Sequence, residues 1–259
     1  MVEKVVEIRD LVVKYGNNTA LDGVSLDVEK GDVLGIIGPN GGGKTTLLNA
    51  MLGNVKIASG SVKLFGTELG KFRDHHKIGY VSQHAIQFDP LFPATVEEIV
   101  RLGCITRNRL GRRLSSDDKR AVREAMELVG IDNVRGKKIS ELSGGQKQRI
   151  FIAKALVREP ELIILDEAAS GLDVGIQDRF VKLLRKLRDE RGVTVITVSH
   201  DISSVMCQAN KLAIVNRKLE FTEITEGTDP HQAMRDAYGE HFTFVFHHER
   251  DGCVGHNHG

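Results

Sequence analysis

The fold of this chain is decided by Gly38-Pro39-Asn40-Gly41-Gly42-Gly43-Lys44-Thr45-Thr46. The stretch fits G-x-x-x-x-G-K-[ST], follows an apolar run at 33–37 that predicts a buried strand, and precedes a helical pattern at 46–52. Glycines let successive backbone N–H groups point inward, and a helix N-terminus adds partial positive charge. The sequence therefore predicts a loop that binds nucleotide phosphates, here named the phosphate loop. In it we expect Lys44 to reach the β- and γ-phosphates and the Thr45 hydroxyl to bind Mg²⁺.

A second apolar run, 162–165, ends in two carboxylates. Asp166 at the tip of this predicted strand would hold Mg²⁺ through water. Glu167, the next residue, is placed to polarise a water that attacks the γ-phosphate. Two acids at the start of a loop are common. This pair indicates a catalytic site only because a phosphate loop lies upstream in the same chain.

A third motif is Leu142-Ser143-Gly144-Gly145-Gln146, followed by Lys147-Gln148-Arg149 and a helical pattern. Ser143 can cap that helix while the N–H groups of Gly144 and Gly145 stay available to an anion. The motif lies far along the chain from the phosphate loop. It therefore predicts a second and separate anion site.

With these motifs in hand, the chain resembles the ATPase subunits of ABC transporters over about residues 5–221. The family motifs follow in order: the aromatic residue Tyr15, the Walker A loop 38–46, the Q-loop residue Gln83, the signature 142–146, the Walker B strand 162–166 with Glu167, the D-loop 170–173 and the switch residue His200. The resemblance implies an α/β P-loop NTPase fold with a RecA-like core, an N-terminal antiparallel β layer and an inserted helical subdomain. One departure is Ala168, where many members have proline.

The resemblance also implies a role for each matched residue. Tyr15 would stack on adenine, and Asp173 would bridge a dimer interface. Two copies would pair head to tail when ATP binds, so that Ser143, Gly144, Gly145 and Gln146 of one copy close on the ATP held by the other. The implied catalytic residues are Lys44, Gln83, Glu167 and His200, and the implied Mg²⁺ ligands are Thr45, Gln83 and Asp166.

Pattern along the chain divides it into regions. Period-two stretches near 6–12 and 24–28 predict the antiparallel layer. From about 93 to 142 the pattern is helical, with a capping box at Thr95 and Glu98 and a helix stop at Gly130. We therefore predict an ATPase domain at 1–226, with a helical subdomain inserted at about 84–142, and a histidine-rich tail at 227–259.

Composition limits the function. The net charge is +1, so no basic field argues for nucleic acid, and the three cysteines imply no disulfide framework. No apolar run approaches the roughly 20 residues of a membrane span. We therefore expect a protein at the cytoplasmic face of the membrane, bound there through membrane-embedded partners.

Only 60 residues separate Gln83 from Ser143, which excludes the DNA-repair ATPases with inserted coiled coils. Two other features predict the transported cargo, and the first is a segment that follows Gln83. The segment 89–103 resembles ATPases of zinc, manganese and ferrous-iron importers. This favours a divalent-metal importer with two integral-membrane permease subunits and an extracytoplasmic metal-binding protein. ATPases of cobalamin, haem or siderophore importers and a soluble iron–sulfur assembly ATPase remain alternatives.

The tail is the second feature. Six of the 10 histidines follow Pro230, and Cys253, His256 and His258 offer ligands suited to Zn²⁺ or similar metals. The spacing is not that of a structural zinc finger. The tail is either a sensor or buffer for the transported metal, or a polar end with incidental histidines.

Overall fold

A computed structural model of the chain describes residues 3–82, 93–105, 113–167, 174–199, 205 and 208–224, with backbone alone at 174–180. The chain divides into two compact units. The first comprises the residues before 74 and those from 184 onward, and the second comprises 74–183. An antiparallel sheet and a mostly parallel sheet are both present, which confirms the predicted α/β fold class.

The antiparallel sheet of the first unit is built from β1 (Lys4–Tyr15), β2 (Asn18–Glu29), β4 (Ile57–Leu64) and β5 (Thr67–Glu68) in the order β2-β1-β4-β5. Its register pairs Ile8 with Leu26 on one side and with Val62 on the other. All three side chains are buried, whereas the intervening positions are more exposed. This period of two is the pattern that predicted the layer.

The parallel strands of the first unit are centred on β3 (Val33–Ile37), which lies between β8 (Thr194–Val198) and β9 (Lys211–Asn216). All five residues of β3 are buried, as its uninterrupted apolar run predicts for a strand covered on both faces. Strand β10 (Lys218–Glu223) pairs antiparallel with β9. The phosphate loop follows β3 directly, and helix α1 (Lys44–Met51) begins two residues earlier than the sequence pattern predicted.

A buried polar network fixes the start of β3. Lys211 Nζ donates to Glu29 Oε2 at 2.7 Å and lies 2.9 Å from Asp32 Oδ2. Burial lowers the pKa of Lys211, but the hydrogen bonds to Glu29 and Asp32 outweigh it, and the pKa is raised above its usual value. Asn210 Oδ1 accepts from the Val33 backbone N–H at 2.7 Å. The strand that leads to the phosphate loop is thus held by side chains from distant parts of the chain.

The second unit pairs β6 (Ile78–Val81) in parallel with β7 (Leu162–Asp166). Its helices are α2 (Val96–Arg101), α3 (Ser116–Leu128) and α4 (Gly144–Leu156), and α5 follows at Val174–Arg191. The predicted capping box at Thr95 and Glu98 is confirmed by bonds in both directions. Helix α2 ends at Arg101 and is followed by a 3₁₀ turn, Leu102–Cys104.

Candidate functional site: a phosphate loop, an acid-tipped strand and a signature turn

At two positions of the phosphate loop, a left-handed φ and a close backbone contact together require glycine. Gly38 has φ +148°, and a Cβ there would lie 2.1 Å from the Val215 carbonyl oxygen. Gly43 has φ +106°, and a Cβ there would lie 2.7 Å from the Ala20 carbonyl oxygen. The loop is therefore pressed against β9 and β2, which leaves no room for side chains on those faces.

A backbone brace holds the loop from the turn between β9 and β10. Arg217, at φ +61°, donates its N–H to the Gly42 carbonyl at 2.7 Å. Its own carbonyl accepts from the Asp22 N–H, also at 2.7 Å. One residue thus ties the phosphate loop to β2. Sequence reasoning missed this brace, because a contact between backbone groups leaves no side-chain signature.

The start of α1 has the features of an anion site. Its N-cap, Gly43, supplies no side-chain cap, and no acidic residue lies in the first turn. Within the described residues the N–H groups of Gly41, Gly43, Thr45 and Thr46 have no hydrogen-bond partner. Such N–H groups at the positive end of a helix are the donors that a phosphate group accepts from.

Lys44 adds a positive charge to this cradle. The residue is only 6% exposed, and its Nζ donates to the carbonyl oxygens of Gly38 at 2.8 Å and Pro39 at 3.0 Å. The ammonium group is thereby held over the loop. Asn40, Gly41 and Thr45 are exposed at its surface, and Pro39 and Thr46 are half-buried. Tyr15 is the last residue of β1, and 52% of its surface is exposed, so its ring does not belong to the hydrophobic core.

The acid-tipped strand lies in the second unit. All five residues of β7 are buried, and Asp166 at its end is 3% exposed. Tyr80 Oη donates to Asp166 Oδ2 at 3.4 Å. Burial, and then the negative charge of Asp166, raise the pKa of Tyr80 to about 12. Glu167 follows at φ +51°, a left-handed backbone that turns the chain sharply at the strand end.

The signature turn (residues 142–146) caps helix α4 more completely than the sequence analysis expected. Ser143 Oγ accepts from the Gln146 N–H at 3.4 Å, and Gln146 Oε1 accepts from the Ser143 N–H at 3.1 Å. This is a full capping box, and the pattern S-x-x-Q could have revealed it. In the described chain the N–H groups of Gly144 and Gly145 have no partner, which fits the predicted anion site. Ser143 is the N-cap of α4, as the sequence predicted, and the helix begins at Gly144.

Several predicted residues lie outside the described part of the chain. These are Gln83, Asp173 and His200 of the nucleotide site, residues 89–92 of the segment that resembles metal-importer ATPases, and Cys253, His256 and His258 of the tail. Among the described residues, no group of three or more His, Cys, Asp or Glu side chains could hold a metal ion. No helix in the described ranges combines the length and apolar character that crossing a membrane requires.

Comparison with known sequences gives a consistent result. The ABC transporter family profile matches residues 21–170. The chain is 40% identical to the zinc uptake system ATP-binding protein of Listeria innocua over 84% of this chain and 85% of that protein. It is 37% identical to the manganese transport system ATP-binding protein of Listeria monocytogenes over 90% of this chain and 96% of that protein.

Solved structures agree. The cbiO1 protein of Clostridium perfringens, part of the cbiONQ ABC transporter complex, aligns with a TM-score of 0.76 at 29% identity, over 90% of this chain and 92% of that one. A dimeric ATP-binding cassette in a post-hydrolysis state with ADP and phosphate aligns with a TM-score of 0.71 at 27% identity, over 85% of this chain and 99% of that one.

Proposed function

Since the chain belongs to the ABC transporter family of ATP-binding proteins, we propose that it hydrolyses ATP to drive import of a divalent metal ion, zinc or manganese. The ATPase activity follows from the family. A metal cargo is proposed because the chain is 40% identical to a zinc uptake ATP-binding protein over most of both chains. It is also 37% identical to a manganese transport ATP-binding protein. The cargo is therefore proposed from the relatives, and the chemistry from this chain's own residues.

The phosphate loop would hold the nucleotide. The open N–H groups of Gly41, Gly43, Thr45 and Thr46 would donate to phosphate oxygens, and Lys44 would exchange its bonds to loop carbonyls for the β- and γ-phosphates. Tyr15, half-exposed at the end of β1, would offer its ring to the adenine.

The donor groups fit Mg²⁺. Thr45 offers a hydroxyl oxygen and Asp166 a buried carboxylate, and hard oxygen ligands of this kind suit magnesium. Together with Gln83, these residues would hold the ion. When bound, Mg²⁺ neutralises charge that develops on the phosphate oxygens. The protein's own contribution is to present Asp166 on a rigid, fully buried strand.

Glu167 would act as the general base. It directly follows Asp166 and has a left-handed backbone, and its carboxylate would accept a proton from the attacking water. His200 would contact the γ-phosphate and keep Glu167 and the water in place. Gln83 would transmit the state of the nucleotide to the helical subdomain.

ATP binding would join two copies of the chain. Ser143, Gly144 and Gly145 of one copy would close on the γ-phosphate held by Lys44 of the other, with Asp173 bridging the interface. The similar cassette solved as a dimer with ADP and phosphate supports this arrangement. Hydrolysis removes the bridging phosphate and releases the copies, and that two-state change can drive a membrane partner.

Substitution of the base tests this dimer. The Glu167→Gln variant keeps its shape but loses the group that accepts the proton, so ATP with Mg²⁺ should trap it as a dimer. Light scattering coupled to size exclusion would measure the mass. A variant that stays monomeric under these conditions contradicts the proposed role of Glu167.

The assembled transporter would contain two permease subunits and an extracytoplasmic metal-binding protein, with this chain peripheral on the cytoplasmic face. The test is ATP hydrolysis by the complex in proteoliposomes, with Zn²⁺, Mn²⁺ or Fe²⁺ offered outside together with the binding protein. Stimulation by one metal identifies the cargo. Stimulation by none contradicts metal import, and cobalamin, haem and a siderophore are then tried as cargo before a soluble iron–sulfur assembly role.

The tail would bind the transported metal on the cytoplasmic side through Cys253, His256 and His258. Thiolate and imidazole groups suit zinc. Zinc binding by the isolated subunit should disappear when the chain is truncated after Val245, while ATP hydrolysis remains. Equal zinc binding by the full-length and truncated chains rejects this role.

A further inference from the structure

Strand β6 brings a tyrosine onto the Walker B carboxylate. In the parallel pairing of β6 with β7, Tyr80 lies opposite Ile164. Asp166 is two residues further along β7, so Tyr80 and Asp166 point to the same face of the pair. The long tyrosine side chain spans this step, and its hydroxyl reaches Asp166 Oδ2 at 3.4 Å.

Apolar packing does not explain a tyrosine at this position. Tyr80 is 38% exposed, whereas Val81 beside it and the residues of β7 are buried. The polar end of the ring, and not its apolar body, meets the buried partner. The phenol hydroxyl lies 3.4 Å from the carboxylate oxygen, and because a carboxylate offers only acceptors, the hydroxyl is the donor of this hydrogen bond.

We propose that Tyr80 is a positioning residue, whose hydroxyl fixes the rotation of the Asp166 carboxylate so that this carboxylate binds the divalent cation accompanying ATP. The inference rests on the proposed role of Asp166 as a Mg²⁺ ligand. A carboxylate offers about four lone-pair directions, so one donor can lock its plane and leave other directions for the cation. Tyr80 would act through Asp166 and would not itself bind the cation or the nucleotide.

The position of Tyr80 in the chain gives the contact a second consequence. Tyr80 lies three residues before Gln83, on the strand that leads into the Q-loop. The hydrogen bond therefore connects the Q-loop strand with the Walker B strand at the cation-binding end. If the Asp166 carboxylate moves when the nucleotide changes, this hydrogen bond would transmit the movement to β6.

The test is the Tyr80→Phe variant, which removes one oxygen atom and keeps the ring. With ADP bound, Mn²⁺ in place of Mg²⁺ is titrated and the free ion is followed by electron paramagnetic resonance. Because this hydrogen bond is long, at 3.4 Å, we expect its loss to lower cation affinity about five- to tenfold, the effect of one hydrogen bond of ordinary net strength. The affinity for ADP without any divalent ion, and the thermal midpoint, should stay near those of the parent.

Two further variants separate this inference from the proposed function. Asp166→Asn alone should weaken cation binding more than Tyr80→Phe, and adding Tyr80→Phe to it should change nothing further. Equal cation affinity in Tyr80→Phe and the parent, while Asp166→Asn binds weakly, overturns the role of Tyr80 alone. Unchanged cation affinity in Asp166→Asn overturns the role of Asp166 in the proposed function, and the inference with it.

Discussion

The phosphate loop (38–46) and the signature turn (142–146) each place glycines before a helix, but α1 begins without a side-chain cap and α4 begins with a complete capping box. Gly38 and Gly43 have left-handed φ values and touch distant backbone, whereas Gly144 and Gly145 already belong to their helix. The two sites use the same partial charge of a helix N-terminus. They differ in what holds the helix N-terminus in place. The phosphate loop depends on contacts with distant backbone, whereas the signature turn depends on its own side chains.

This difference predicts the largest effect for Gly38→Ala. The added Cβ would meet the Val215 carbonyl at 2.1 Å, and the left-handed φ would be strained. Destabilisation should reach about 3–5 kcal/mol, with nucleotide binding lost. Gly144→Ala is the matched change in the signature turn, and it should stay within about 1 kcal/mol of the parent because alanine favours helices. Chemical denaturation and binding of a fluorescent ADP analogue measure both, and equal losses would refute the comparison.

The support of the phosphate loop should extend to the far end of β3. Lys211→Met leaves Glu29 and Asp32 without their shared cation, so the free energy of unfolding should fall by about 2–3 kcal/mol. Lys218→Met, at an exposed position on β10, is the control and should change it by less than about 0.5 kcal/mol. The raised pKa of Lys211 means that its contribution is full below its unfolded pKa of 10.5 and is lost only as pH rises through the folded value. Urea titrations at pH 7 and 9 should therefore give the same difference between parent and Lys211→Met.

A smaller effect separates structure from function in the signature turn. Ser143→Ala removes the cap of α4 and should cost about 1 kcal/mol of stability. Ser115→Ala removes the equivalent cap of α3, outside the nucleotide site, and should cost about the same. Only Ser143→Ala should also lower ATP hydrolysis. If the two variants lose activity equally, Ser143 acts as a cap alone.

The smallest effect concerns acid. The cap of α2 uses Glu98, whose pKa is lowered mainly by the hydrogen bond from the Thr95 N–H and also by the Thr95 hydroxyl. A lowered pKa stabilises the fold above the unfolded value near 4.5, and this contribution is lost as pH falls through the folded value. Below about pH 4.5, the protection of the α2 amides against hydrogen exchange, measured relative to the intrinsic exchange rate at each pH, should therefore fall, and Glu98→Gln should remove that dependence. The cap of α4 uses Gln146, which does not titrate, and should show no such change.

Local patterns in the sequence were sufficient for much of this structure. The predicted bounds of β3 are confirmed. They were predictable because a strand buried on both faces is a continuous apolar run with turn residues at either end. The predicted capping box of α2 is also confirmed, and it was predictable because its two members lie only three residues apart. Helix α1 starts earlier than predicted because its first turn is polar and glycine-capped, so no apolar period marks it.

Contacts between distant residues were not predictable in this way. Tyr80 and Asp166 lie 86 residues apart, and only the parallel register of their strands brings them together. The bond from Arg217 to Gly42 involves backbone alone, so the side chain of Arg217 carries no trace of it. The assigned roles of Gln83, Asp173 and His200 remain predictions from the resemblance.

The brace on the phosphate loop has a consequence for the order of events during synthesis. Val33 is held by Asn210, 177 residues later, and the Arg217 turn follows shortly after. At translation rates of roughly 5–20 residues per second, the loop leaves the ribosome about 10–35 s before its support exists. We expect nascent chains stalled before this turn to bind the fluorescent ADP analogue poorly, and chains stalled well beyond it to bind normally. Strong binding by the shorter chains would mean that the loop forms unaided. The nucleotide site would thus report that nearly the whole ATPase domain has been made.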